Sequence, residues 1–142
     1  MNFDDILNTQ LDEVEKPKPI PVGTYTVRIS AEAPKLEAVG EKQSPKLTIE
    51  AIPLIAGEDV DTELLALVPQ WNERKLRLDF FLTPDSQWRF KEFAQHCGIN
   101  TDGRTLRDII PELANAQVNV KVKHRTFKDN IFAEAESYAP VE

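Results

Sequence analysis

Residues 117–130 read QVNVKVKHRTFKDN. Val118, Val120 and Val122 alternate with Asn119, Lys121 and Lys123, the period of two expected of a half-buried strand. The run then enters His124, Arg125, Thr126, Phe127 and Lys128, which read as a basic turn carrying one aromatic ring. Such a concentration of cations stands out in a chain whose formal net charge is -7. One reading is a nucleic-acid contact, in which phosphates attract the cations and an unstacked base accepts the ring. The other is a solvated hairpin whose lysines blunt a sheet edge.

The acidity that surrounds this stretch is segregated. Residues 1–15 hold Asp4, Asp5, Asp12, Glu13 and Glu15 and no Lys or Arg. Residues 58–73 hold Glu58, Asp59, Asp61, Glu63 and Glu73, again without a cation. The rest of the chain is therefore net positive, and the low overall charge is a weak argument against an anionic ligand.

At 142 residues the chain has the length of one domain with a tail, enough for a real core. No apolar run reaches the roughly 18–20 residues of a membrane span. The acidic N-terminus does not have the character of a secretory signal. A single cysteine, Cys97, excludes an internal disulfide and fits a reducing, cytoplasmic setting. Residues 1–19 read as an acidic tail followed by a Pro-rich linker. Phe3, Ile6, Leu7 and Leu11 have near-helical spacing in the tail, and Lys-Pro-Lys-Pro-Ile-Pro stiffens residues 16–21. The tail is expected to be a solubilising end, a docking peptide for a partner, or a competitor of an anionic ligand.

Residues 20–142 read as the folded domain. Alternation predicts strands over residues 23–33, 46–55 and 74–82, with Pro53 marking an edge or a bulge. Residues 34–45 read as a turn-rich loop. Asp61 is placed to cap a short helix. A longer helix is expected from about Pro84 to Gly98, with Phe90, Phe93, Ala94 and Cys97 as its core stripe. A short helix over residues 105–110 precedes the valine strand, and residues 131–138 give a fifth strand. This order of elements predicts an all-β fold with added helices, a five-stranded Greek-key barrel of the OB type with its helix between strands three and four. A helix-capped antiparallel sheet of another topology is the alternative.

In an OB barrel the ligand crosses strands two and three and is clamped by two loops. That geometry gathers Lys35 and Lys42 from the first loop, Lys46, Lys75 and Arg77 from the face, and Lys121, Lys123, Arg125, Phe127 and Lys128 from the hairpin. Trp71 and Phe81 are further candidates for stacking on bases. Trp71 could instead close the barrel bottom, and Phe81 could pack under a helix. Tyr25 and Trp88 read as core. His96, Cys97 and His124 do not have zinc spacing, and Gly-rich phosphate loops and hydrolase signatures are missing from the sequence. The chain reads as non-enzymatic, with no cofactor.

The residues Pro21-Val-Gly-Thr-Tyr25, Arg74-Lys-Leu-Arg-Leu-Asp-Phe-Phe-Leu82, the helix from Trp88 to Gly98, the stretch from Leu106 to Val122 and Asn130-Ile-Phe132 together carry a resemblance. In order and spacing they resemble a family of phage-encoded single-stranded-DNA-binding proteins from replication and recombination gene clusters. The resemblance implies an OB-like fold and sequence-independent coating of single strands in the cytoplasm of a bacterial or phage-infected cell. It also implies replication or recombination partners, here through the N-terminal acidic tail, and the chance of a homo-oligomer. Such proteins generally carry their acidic peptide at the C-terminus, whereas this chain ends Tyr-Ala-Pro-Val-Glu. An adaptor protein using its acidic segments and an RNA-binding OB module are the other function classes.

Deleting residues 1–15 takes the formal net charge from -7 to -2. If the tail competes for the cations, the truncated protein will bind a single-stranded oligonucleotide more tightly at about 50 mM salt, and the difference will shrink at about 300 mM as screening shortens both interactions. Equal affinity at both salts in a side-by-side titration would rule out competition.

Overall fold

The structure, a computed structural model, describes residues 18–32 and 34–141, together with Phe3, Leu7 and Asn8. The expected tail helix and its acidic docking role fall largely outside these residues. Six strands form one antiparallel, open sheet, accompanied by a few short helices. In chain order they are β1 (Gly23–Ile29), β2 (Lys35–Val39), β3 (Ser44–Ala56), β4 (Leu76–Phe81), β5 (Gln117–Phe127) and β6 (Asn130–Ala139). The helices are α1 (Thr62–Ala66), α2 (Gln87–His96) and α3 (Leu106–Ile109), with short 3-10 turns at Trp71–Glu73 and Ile110–Leu113. No described helix is long and apolar enough to cross a membrane.

The alternation read from the sequence sets the core. Tyr25, Val27 and Ile29 of β1, Leu47, Ile49 and Ala51 of β3, and Val118, Val120 and Val122 of β5 are all buried. Leu76, Leu78 and Phe80 of β4 face the same interior. One residue further along each strand the side chain turns outward, because successive residues of a strand point to opposite faces. The core stripe of α2 lays Phe90, Phe93 and Ala94 on this interior.

β3 organises the sheet. Its C-terminal half pairs with β1 and its N-terminal half with β2, while its other edge pairs with β4. β1 continues to β5, and β5 to β6. The β1–β3 register jumps from Thr26↔Ile55 to Val27↔Pro53, so the chain bulges at Leu54. This is the irregularity that Pro53 announced, since proline cannot donate to a ladder.

Four sequence expectations change. Residues 34–45 are not only a turn-rich loop: they hold β2, so there are six strands rather than five. The first strand stops at Ile29. The basic turn is strand, since β5 runs through Lys123, Arg125 and Phe127 and turns only at Lys128 and Asp129, both with positive φ. Pairing with β6 extends β5 beyond the point where burial ends. Trp88 is not core but 54% exposed. The Asp61 cap is present, its carboxylate accepting from the Glu63 and Leu64 amides. Thr105 and Asp108 form a reciprocal capping box on α3.

β4 and β6 are the two ends of the strand path, and no ladder joins them among the described residues. They meet through rings instead. Tyr138 of β6 lies 5.6 Å from Phe80 of β4 and 4.9 Å from Phe93 of α2, centroid to centroid, and Phe80 lies 4.8 Å from Phe93. The opposite side is closed by the turn after β3. There the Asp59 carboxylate accepts from both the amide and the hydroxyl of Thr24, at 2.9 Å each, and these bonds hold its pKa below the ordinary value.

Gly23 makes that closure possible. Its φ is +138°, and a Cβ there would sit 2.6 Å from Val60 Cγ2 and 3.2 Å from the Asp59 carbonyl oxygen. Gly23→Ala is therefore expected to destabilise the fold by about 1–3 kcal/mol, the usual cost of overpacking. Urea unfolding will report it as a lower midpoint with an unchanged slope; an unchanged midpoint would show that the turn yields freely.

Candidate nucleic-acid interface

Between β4 and β6 the unpaired seam opens into three adjoining clefts. The first, of about 580 Å³, is walled by Lys18, Pro19 and Ile20 on one side and by Arg74, Lys75 and Ile131 on others. It shares Phe132 and Ala133 with the second, of about 350 Å³, which is flanked by Arg77 and Arg125. That one shares Asp79, Glu134 and Tyr138 with the third, of about 570 Å³, which reaches Phe81, Trp88, Arg89 and His96 on α2. The result is a continuous trough along the seam.

Strand register explains which side chains line it. Arg77, Asp79 and Phe81 are the outward residues of β4, opposite Glu50, Thr48 and Lys46 of β3. Lys123, Arg125 and Phe127 are the outward residues of β5, opposite Glu134, Phe132 and Asn130 of β6; only Arg125 of these three lines a cleft, and Lys121, Lys123, Phe127 and Lys128 lie outside all three. The hairpin base is tied to the chain before β1: a ring nitrogen of His124 lies 2.7 Å from the carbonyl oxygen of Ile20. That contact holds residues 18–20 as a wall of the first cleft.

The exposed rings along or beside the trough are Phe81 (46%), Phe132 (44%), Trp88 and Phe127. Several already carry a cation over a face. Arg125 Cζ lies 6.0 Å from the Phe132 centroid, Arg89 Cζ 5.3 Å from that of Trp88, and Lys128 Nζ 5.4 Å from that of Phe127. Tyr138 faces inward. Burial first, then the charges of Asp79, Cys97 and Glu134, push its hydroxyl pKa upward, so it stays protonated.

Most of the cations picked out from the sequence are matched by acids. Lys46 Nζ is 3.7 Å and Arg77 Nε 3.2 Å from Asp79, Lys75 Nζ 3.3 Å from Glu50, and Arg125 Nε 3.1 Å from Glu134. Lys121 lies 4.0 Å from Glu136, and Lys35 3.5 Å from Glu37. The Oε2 atoms of Glu50 and Glu134 accept no hydrogen bond despite these close cations, so the two pairs are held by charge alone. Of the cations picked out from the sequence, Lys42, Lys123 and Lys128 have no ion pair among the described residues, and neither do Lys18, Arg74 and Arg89 of the clefts.

The structure thus brings together Lys75, Arg77, Arg125 and Phe81 from the sequence candidates, with Lys46 largely covered behind Asp79. It sets others apart. Lys35 lies on β2, Lys42 in the turn that follows it, and neither lines the trough. Trp71 is half-buried against Tyr25 at 6.2 Å, packs on the core there and lines none of the three clefts. Phe132, Trp88, Arg74 and Arg89 were missed. Phe132 and Arg125 occupy opposed positions of one hairpin, a signal legible once the turn is placed at Lys128 and Asp129. Among the described residues no group of three or more His, Cys, Asp or Glu is placed to hold a metal ion.

No protein-family model matches the chain, and no curated protein matches it significantly in sequence. The functional reading therefore rests on the trough itself.

Cys97 closes α2 half-buried against the core, and burial pushes its thiol pKa up to about 12. The thiol stays protonated at neutral pH and is a poor nucleophile. Iodoacetamide at pH 8 is expected to alkylate it far more slowly in the folded protein than in urea. Equal rates would place the thiol in solvent.

Proposed function

We propose that this protein binds single-stranded DNA with little sequence preference, the strand lying along the seam between β4 and β6. The observation that carries this reading is the trough, whose three clefts are lined by exposed Phe132, Phe81 and Trp88 together with Arg74, Arg77, Arg125 and Arg89. Rings accept unstacked bases of any identity, and guanidinium groups take the phosphates between them. A duplex buries its base faces and can use only the cations.

The strand order supports an OB-type reading of the sheet. With β2 taken as an insertion, the pairings β1–β3, β3–β4, β1–β5 and β5–β6, and a helix between β4 and β5, follow the Greek-key order of a partly open five-stranded barrel. The seam is then the opening of that barrel. The β5–β6 hairpin becomes one clamping loop, and the β1–β3 connection carrying β2, Lys35 and Lys42 the other. The acidic residues 1–15 precede Lys18, Pro19 and Ile20, which wall the first cleft, and that position suits them to recruit a replication or recombination protein.

The test is a fluorescence titration of a labelled single-stranded oligonucleotide against salt. With about four phosphates neutralised, log K is expected to fall with log salt at a slope of roughly -3. Phe132→Ala is expected to cost about 1–3 kcal/mol of binding, the range for losing one base–ring stack, and Arg125→Ala to flatten the slope. Preference for duplex, or an affinity indifferent to salt, would overturn the reading. Tighter binding to the RNA oligonucleotide of the same sequence would turn it toward an RNA-binding module. Absence of any nucleic-acid binding would favour a protein-interaction role for the acidic segments.

A further inference from the structure

At the centre of the outward face of β3 and β4 sits a carboxylate, Asp79. Its Oδ1 accepts from the Thr48 hydroxyl at 2.9 Å, and Arg77 Nε donates to Oδ1 and Oδ2 at 3.2 and 3.3 Å. Lys46 Nζ stands 3.7 Å from Oδ2. A guanidinium, an ammonium and a hydroxyl converging on one anion make up a donor set that also suits the oxygens of a backbone phosphate. The side chain is about one third exposed, and Asp79 borders the second and third clefts, so a ligand in the seam meets Arg77 directly and uncovers Lys46 only by displacing Asp79.

Resting on the single-strand reading above, we propose that Asp79 occupies the place of a phosphate. A strand that settles in the seam takes Arg77 and Lys46 over from Asp79 instead of meeting them free. The exchange replaces one anion by another, so it gains less than pairing with an unmatched cation, and the displaced carboxylate then repels the incoming strand. Asp79 thereby sets a ceiling on affinity and keeps the complex readily reversible. Glu134 beside Arg125 is a simpler counterpart across the seam, one carboxylate with a single cation.

The experiment compares the full chain with Asp79→Asn by titration with a single-stranded oligonucleotide over a range of salt. Asparagine retains an oxygen for Thr48, removes the charge and turns the other acceptor oxygen into an amide donor. Exposed pairs of this kind contribute little to folding, so the melting temperature should hold. Affinity at about 50 mM salt is expected to rise roughly three- to tenfold, with the salt slope steeper by about 0.7, the increment for one more phosphate neutralised on a single strand. Adding Arg77→Ala should erase the gain. Glu63→Gln on α1, outside the clefts, changes net charge equally and should leave affinity unchanged. If asparagine lowers the melting temperature, Asp79→Ser repeats the measurement at the same position. An unchanged or weakened affinity, or an equal gain from Glu63→Gln, would overturn the role of Asp79 while leaving the single-strand reading intact. A parent chain that binds no oligonucleotide would overturn that reading, and this one with it.

Discussion

Phe80, Phe93 and Tyr138 hold together two strands that share no hydrogen-bonded ladder. Ring contacts at 4.8 to 5.6 Å are non-directional compared with backbone hydrogen bonds, and they fix only the end of the seam nearest α2. Toward Leu76 and Ile131 no aromatic pair draws β4 and β6 together, and a cleft of about 580 Å³ lies there. A full ladder would have brought the strands to about 4.8 Å along their whole length and removed the trough. The aromatic closure thus does two things at once. It completes the core beneath α2, and it leaves the edges of β4 and β6 available to a ligand.

Charge on the seam is arranged by cross-strand register. Each outward cation of β4 or β5 faces or flanks a carboxylate one strand away, so the field along the trough is far weaker than a count of its basic residues implies. This has a bearing on solubility as well as binding. An acidic protein with a strongly basic open seam would pair with itself, tail to trough, at modest concentration. Internal matching weakens the field that would drive such association.

Much of the fold was legible. The alternation of β1, β3, β4 and the valine part of β5, the stripe of α2, the Asp61 cap and the irregularity at Pro53 all rest on local chemistry, which a sequence displays directly. β2 was not legible because Lys35, Glu37 and Ala38 carry no burial pattern; the strand exists through pairing with β3. The same holds for residues 123–127, where every side chain is exposed and only β6 imposes extension. Trp88 was misread because a large aromatic beside Phe90 suggests core, although it lies off the stripe of Phe90, Phe93 and Ala94. The cations of the site were legible as residue types, but their acidic partners were not. Which carboxylate faces Arg77 or Arg125 is a matter of register, and register is a tertiary fact.

The continuation of β5 past Val122 gives one strand two thermodynamic characters. Up to Val122 its side chains are locked into the core, so an amide there opens to solvent only when the whole domain unfolds. From Lys123 onward every β5 side chain is exposed, and beyond the partly buried Ala133 of β6 the ladder's amides can exchange through fraying of the hairpin alone. The hairpin is therefore a soft arm on a hard base, hinged near the point where His124 meets the Ile20 carbonyl oxygen. A soft arm can follow the irregular contour of a flexible polymer without disturbing the base that carries it.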